Sequence, residues 1–156
     1  MKIHTLLLTS VLCTSVFAAD SDDSGGYSGG SSYNDAVSVD GQLTQARKLI
    51  AKQKYRAAIQ ELNALAQRDG KNADTWNLLG FSHRKLGNLK RSAKFYKKSL
   101  KLDPSHKGAL EYQGELFIAL KQFDRAEQNR QRLEALCPDG CDQLTKLSRA
   151  IANAQS

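Results

Sequence analysis

The sequence predicts an all-α protein built from tandem helix–turn–helix repeats, and three observations predict it. From about Val39 onward apolar residues recur three and four apart, the spacing of one helix face. The only prolines are Pro104 and Pro138, so little interrupts that pattern. The pattern also repeats: Ala58, Ser92 and Ala126 are each 34 residues apart, as are Gly80 and Gly114, and Pro104 and Pro138. Three blocks follow without a gap, 39–72, 73–106 and 107–140.

Each block reads as two helices joined by a short turn. The first carries its apolar positions at Ala46, Leu49, Ala58, Leu62 and Leu65. In the second, a helix is expected over about Asp74–Leu86, with its core face at Trp76, Leu79, Gly80, His83 and Leu86. Gly87-Asn88 makes the turn, and the next helix runs over about Leu89–Leu102. Asp103-Pro104 stops it, because proline lacks the amide donor and disfavours helix in the residue before it. The third block places Leu110, Gly114, Phe117, Ala126, Leu133 and Pro138 in the same register. A last helix, about Asp142–Ala152, sets Leu144, Leu147 and Ile151 on one face, where they can cover the open edge of the third block.

The residues before the repeats read differently. Lys2 precedes an apolar run from Ile3 through Leu12 to Val16, and small residues follow at Ala18 and Ala19, the pattern of a secretory signal peptide over 1–19. The run is too short and too polar for a membrane span, and no later run could span a bilayer, so the processed chain is expected to be soluble. Leu12 before Cys13 is too bulky for a lipoprotein signal. Residues 20–38, rich in Gly, Ser and Asp, bury too little apolar surface to offset their ordering entropy and read as a flexible tether. Charge is divided as well. Residues 20–40 carry five Asp and no Lys or Arg, whereas 41–156 carry 22 Lys and Arg against 11 Asp and Glu, a balance of +11. Such a domain attracts anionic partners or surfaces.

The 34-residue period with W-x2-L-G-x2-Y, then A-x3-F, then P resembles the tetratricopeptide repeat. The second block supplies Trp76, Leu79, Gly80, His83, Ser92, Tyr96, Ser99 and Pro104 at those places, with Ser92 and Ser99 for alanines and His83 for the tyrosine. The first block departs most. The resemblance implies a right-handed solenoid of antiparallel helix pairs with a concave groove, capped by the last helix. It also implies that the groove is lined by the face of each first helix that stays out of the core. That face carries Leu43, Arg47 and Ile50 in the first block, Asn77, Phe81, Arg84 and Lys85 in the second, and Glu111, Glu115 and Ile118 in the third. An aromatic beside arginine is the usual make-up of a binding hot spot. Some members of the family hold a partner's C-terminal carboxylate with paired Lys, Asn and Arg. The corresponding places here are Leu43, Arg47, Leu78, Gly108 and Tyr112, so that partner does not carry over.

Outside the groove, Lys90, Lys94, Lys97, Lys98 and Lys101 share one face of the second block's second helix. They read as a solvated outer surface or as a contact for an anionic envelope surface, and no base-stacking aromatics interleave them, so nucleic acid is not expected. Without the signal, two cysteines remain, Cys137 and Cys141, four apart at the turn into the last helix. An oxidising compartment would let them form a disulfide that staples the cap, worth ~2 kcal/mol for so short a loop. A redox-active pair or a soft-metal site are the alternatives, although two thiols alone leave a metal under-coordinated. His83 is expected to be a hydrogen-bonded core histidine and His106 an exposed turn residue. No catalytic triad, paired-carboxylate motif, phosphate loop or metal-binding helix pattern is present. The expectation is therefore a non-enzymatic module in the periplasm or secreted, without a cofactor, that binds a protein or peptide.

Overall fold

A computed structural model describes residues 39–156. The expected signal peptide and tether, 1–19 and 20–38, lie outside the described residues. Seven helices make up what is described: α1 (Val39–Ala51), α2 (Tyr55–Arg68), α3 (Ala73–Lys85), α4 (Leu89–Leu102), α5 (Lys107–Ala119), α6 (Phe123–Leu136) and α7 (Asp142–Gln155). Each packs on its neighbours in the chain, and α1, α3, α5 and α7 also touch one another in sequence. The odd-numbered helices thus form one layer and α2, α4 and α6 a second.

Local chemistry sets the boundaries. Asn72 caps α3 by accepting from the Thr75 amide at 2.9 Å, so α3 begins at Ala73 and not at Asp74. His106 does the same for α5, its Nδ1 accepting from the Ala109 amide at 3.2 Å. The three turns inside the helix pairs are one structure made three times. Gln53, Gly87 and Lys121, 34 apart, all sit at positive φ, and the two residues of each turn return their amides to the carbonyls of the preceding helix. This is the Schellman closure, which needs a left-handed residue after the helix, and only the middle turn has glycine there. Leu86, expected in the core, lies at this closure instead and is 36% exposed.

The exits of the helix pairs also repeat. Asp69 and Asp103 each accept an amide two residues on, from Lys71 and Ser105, and hold the chain in an Asx turn. The third exit has Cys137 at the equivalent place, buried, with its sulfur against that of Cys141 and the two Cα atoms 5.8 Å apart.

Two apolar clusters hold the stack. The first contains Leu43, Ala46, Ala58, Leu62, Leu65 and Leu79. The second contains Leu110, Phe117, Ala126, Leu133, Leu147 and Ile151. Between them the second helix pair buries Ser82, His83, Ser92, Tyr96 and Ser99. Ser99 donates to the Ala73 carbonyl at 2.9 Å. The Ser82 hydroxyl and His83 Nδ1 are buried without a hydrogen-bond partner. Burial pushes the Tyr96 hydroxyl up to about 12. Gly80 is needed here, because a β-carbon on it would come within 2.6 Å of the Tyr96 ring.

Candidate functional site

The face of the odd-numbered layer that turns away from the even helices carries the residues the sequence singled out. Arg47 on α1 pairs with Asp74 on α3 at 3.0 Å, both half exposed. Ile50 on the same helix is only partly buried and packs on the first apolar cluster. Phe81 and Arg84 on α3 meet Tyr112 and Glu115 on α5. The Phe81 and Tyr112 rings stand 4.8 Å apart, tilted. The Arg84 guanidinium lies 5.6 Å from the first ring centre and 6.0 Å from the second, and it forms an ion pair with Glu115. Lys85 reaches the Phe81 ring at 5.4 Å, and Tyr55, at the start of α2, meets that ring edge-on at 6.3 Å. Stacking and cation–π contacts of this kind stabilise by about 1 kcal/mol each and hold the side chains in place before anything binds.

Asn77 and Glu111 lie deeper. With Leu43 they form a row spaced 34 residues apart along α1, α3 and α5, each less than 5% exposed. The row becomes more polar along the stack. Asn77 Oδ1 is buried and accepts from no donor. Burial pushes the Glu111 carboxyl up to about 7, and Lys146 on α7 opposes that shift. Burial also raises the neighbouring Tyr112 hydroxyl.

Sequence reasoning missed three contributors. Tyr112 was considered only as a failed match to a carboxylate-binding place, yet its ring completes the aromatic pair. Its signal is positional, three residues before Glu115 and so beside it on the helix. The second is α7, which has a place in the odd-numbered layer. Continuing the period puts Thr145, Arg149 and Asn153 in line with Glu111, Glu115 and Ala119, and all three are exposed. The third is His106. It is not a bare turn residue: it caps α5, and its Nε2 lies 3.0 Å from Asp74, whose carboxyl that contact holds below its ordinary range. The expected hydrogen bond of His83 is not made at Nδ1 among the described residues. The ring is buried and stacked on Phe95, 5.2 Å between centres, and burial lowers its pKa.

Outside the layer, Lys90, Lys94, Lys97 and Lys101 are exposed on α4. Lys98 is exposed too, but its ammonium sits 3.4 Å over the Trp76 ring, whose indole N–H donates to the Gly70 carbonyl at 2.9 Å. No group of three or more metal-ligating side chains gathers among the described residues. No helix there is long and apolar enough to cross a membrane.

The tetratricopeptide repeat family model matches residues 73–106, which are α3 and α4 with their exit turn. Residues 73–106 thus carry a tetratricopeptide repeat. The fold of the chain is the helical solenoid of that family, as the solved structures show. The Yersinia enterocolitica type III secretion translocator chaperone SycD superimposes with a TM-score of 0.68 at 16% identity, over 80% of this chain and 94% of that one. The first such domain of Spaghetti (RPAP3), solved with the HSP90 peptide SRMEEVD, gives 0.64 at 20% identity, over 76% and 96%. A Thermobaculum terrenum O-GlcNAc transferase gives 0.68 at 21% identity, over 78% of this chain and 23% of the enzyme. No curated protein is significantly similar in sequence.

Proposed function

We propose that this tetratricopeptide repeat protein is a non-enzymatic adaptor that holds an extended segment of a partner protein along its α1–α3–α5–α7 face. The observation that carries the reading is the Phe81–Tyr112–Arg84–Glu115 cluster. It spans two repeats and is fastened by an ion pair and two cation–π contacts while leaving its members partly exposed. Rings and a guanidinium locked in one arrangement lose little entropy on binding, and a hot spot needs that. The solved relatives give the reading a precedent: one is described as a translocator chaperone, and another was solved with a bound peptide.

The protein works in the cell envelope or outside the cell, on the reading of residues 1–19 as a signal peptide. There the Cys137–Cys141 pair forms a structural disulfide. Burial of Cys137 to 5% exposure favours a staple over thiol exchange, which needs an accessible sulfur. The exposed α4 lysines are a secondary contact for anionic envelope material.

The test is a crosslinking pull-down from the envelope fraction with wild type and the Phe81→Ala/Arg84→Ala variant. A discrete protein captured by wild type and lost in the variant, with helicity unchanged, supports the groove. Identical capture by both removes the groove as the working surface.

A further inference from the structure

We propose that the groove floor at Glu111 selects a segment carrying a basic side chain, lysine or arginine, next to an apolar residue. The inference rests on the groove reading and names the chemistry of its ligand.

Glu111 is the least accommodated charged group of the face. It is 4% exposed, and no hydrogen bond or ion pair holds its carboxyl among the described residues. Its oxygens still reach the groove surface, unlike the sealed Asn77 Oδ1, so a cation arriving there can pair with the carboxyl. The charged groups that act on it come from three helices. Arg84 approaches from α3, Lys146 and Asp142 from α7, and Glu115 shares α5 with it; the Tyr112 hydroxyl is the remaining titratable neighbour. Arg84 is committed to Glu115. That leaves Glu111 without an ion pair of its own among the described residues. The floor positions before it, Asn77 and Leu43, are buried, and Asn77 Oδ1 is sealed from solvent. An ammonium or guanidinium can satisfy Glu111, and the flanking apolar residue can lie on the Phe81 and Tyr112 rings.

This ligand couples to protons with a definite sign. Below about pH 7 Glu111 is protonated in the free protein and must release its proton to pair with a cation. Affinity for a basic segment therefore falls on acidification, by at most about tenfold per pH unit for one proton. An apolar or acidic segment would show no such loss.

The experiment is selection of random dodecapeptides displayed on phage, on wild type, Glu111→Gln and Phe81→Ala/Arg84→Ala, near pH 8 and near pH 6. Glutamine keeps the size of Glu111 and removes its charge, and thermal melts confirm that each variant folds. Wild type is expected to enrich peptides with a basic residue beside an apolar one. Glu111→Gln is expected to keep the apolar preference and lose the basic one. A single enriched peptide, titrated by calorimetry, should bind wild type roughly tenfold more weakly near pH 6 than near pH 8, and Glu111→Gln equally at both. Enrichment without a basic position, or a basic preference that survives in Glu111→Gln, overturns the inference and leaves the groove reading standing. No enrichment by wild type, or the same peptides on Phe81→Ala/Arg84→Ala, overturns both.

Discussion

The second and third helix pairs share a register but are held together by different means. In the second, Gly80 receives the Tyr96 ring from the pair's own second helix, and the interior around it is polar, with Ser82, His83, Ser92 and Ser99 buried. In the third, the place equivalent to Tyr96 is Arg130, which turns to Glu127 and Glu134 in ion pairs. The space over Gly114 is filled instead by Leu147 of α7, so close that a β-carbon on Gly114 would come within 2.5 Å of it. The second pair thus packs through its own side chains and tolerates buried polar groups. The third buries fewer polar groups, Glu111 and Asn129, and its apolar core includes the helix beyond it. α7 is a missing half of the third repeat's interior as much as a cover for it.

The sharpest way to break this comparison is to truncate Leu147. Leu147→Ala removes a fully buried side chain from the second apolar cluster and opens a cavity against Gly114, and should cost about 3 kcal/mol. Chemical denaturation followed by the Trp76 fluorescence and by far-ultraviolet dichroism should then separate. Helix loss at the C-terminal end should precede the change at Trp76, since a solenoid couples mainly neighbour to neighbour. Coincident transitions would mean that the third pair does not depend on α7 in this way.

The two pairs also differ in the sign of their response to pH. Glu111 in the third has a folded pKa of about 7, above its unfolded value, so the folded state binds the extra proton. Its carboxyl therefore weakens the fold as pH rises from about 4.5 to 7, by roughly 2 kcal/mol once relaxation is allowed for. Glu111→Gln should raise the melting temperature near pH 8 and leave it unchanged near pH 4, and an equal gain at both would show that the carboxyl is not the cause. His83 in the second pair acts oppositely. Burial lowers its pKa, so the unfolded chain takes up the proton first and stability falls as pH drops below 6.5. His83→Phe, which keeps the stacking on Phe95, should reduce that acid sensitivity, read from melts between pH 7 and pH 5.

The period carried most of this architecture in plain view, because packing one helix pair on the next constrains small and large residues at fixed places. Gly80, Gly114, Leu79 and Leu110 could be placed for that reason. The face of the odd-numbered layer was legible as positions: Arg47, Phe81 and Glu115 fall 34 apart, as do Asn77 and Glu111. The depth of those positions was not. Asn77 and Glu111 read as groove-lining polar residues, and only the packing of α3, α5 and α7 shows them buried. The Arg84–Glu115 pair, 31 residues apart, and the His106–Asp74 contact, 32 apart, cross between repeats where no single-helix spacing rule applies. Leu86 was misplaced for the converse reason. Helical periodicity assigns it to the core, but the chain leaves the helix at the next residue.

The smallest effect concerns the turns, where the comparison can be sharpened residue by residue. Gly87 closes the second pair at φ +77, a conformation glycine adopts without steric cost. Lys121 closes the third at φ 57, where a side chain crowds the backbone. Lys121 is exposed, and its amide already bonds the Ile118 carbonyl, so replacing it alters little beyond the backbone preference. Lys121→Gly should stabilise the protein by about 0.5 kcal/mol, the relief of the left-handed strain less the extra freedom glycine gives the unfolded chain. Gly87→Lys should cost about 1 kcal/mol, although nothing lies within 4 Å to clash with a β-carbon there. Urea unfolding of the two variants would decide the point. Opposite signs would show that the same closure is built at both turns, with only the second pair carrying the residue it favours; the same sign would mean that the two turns are held by different interactions.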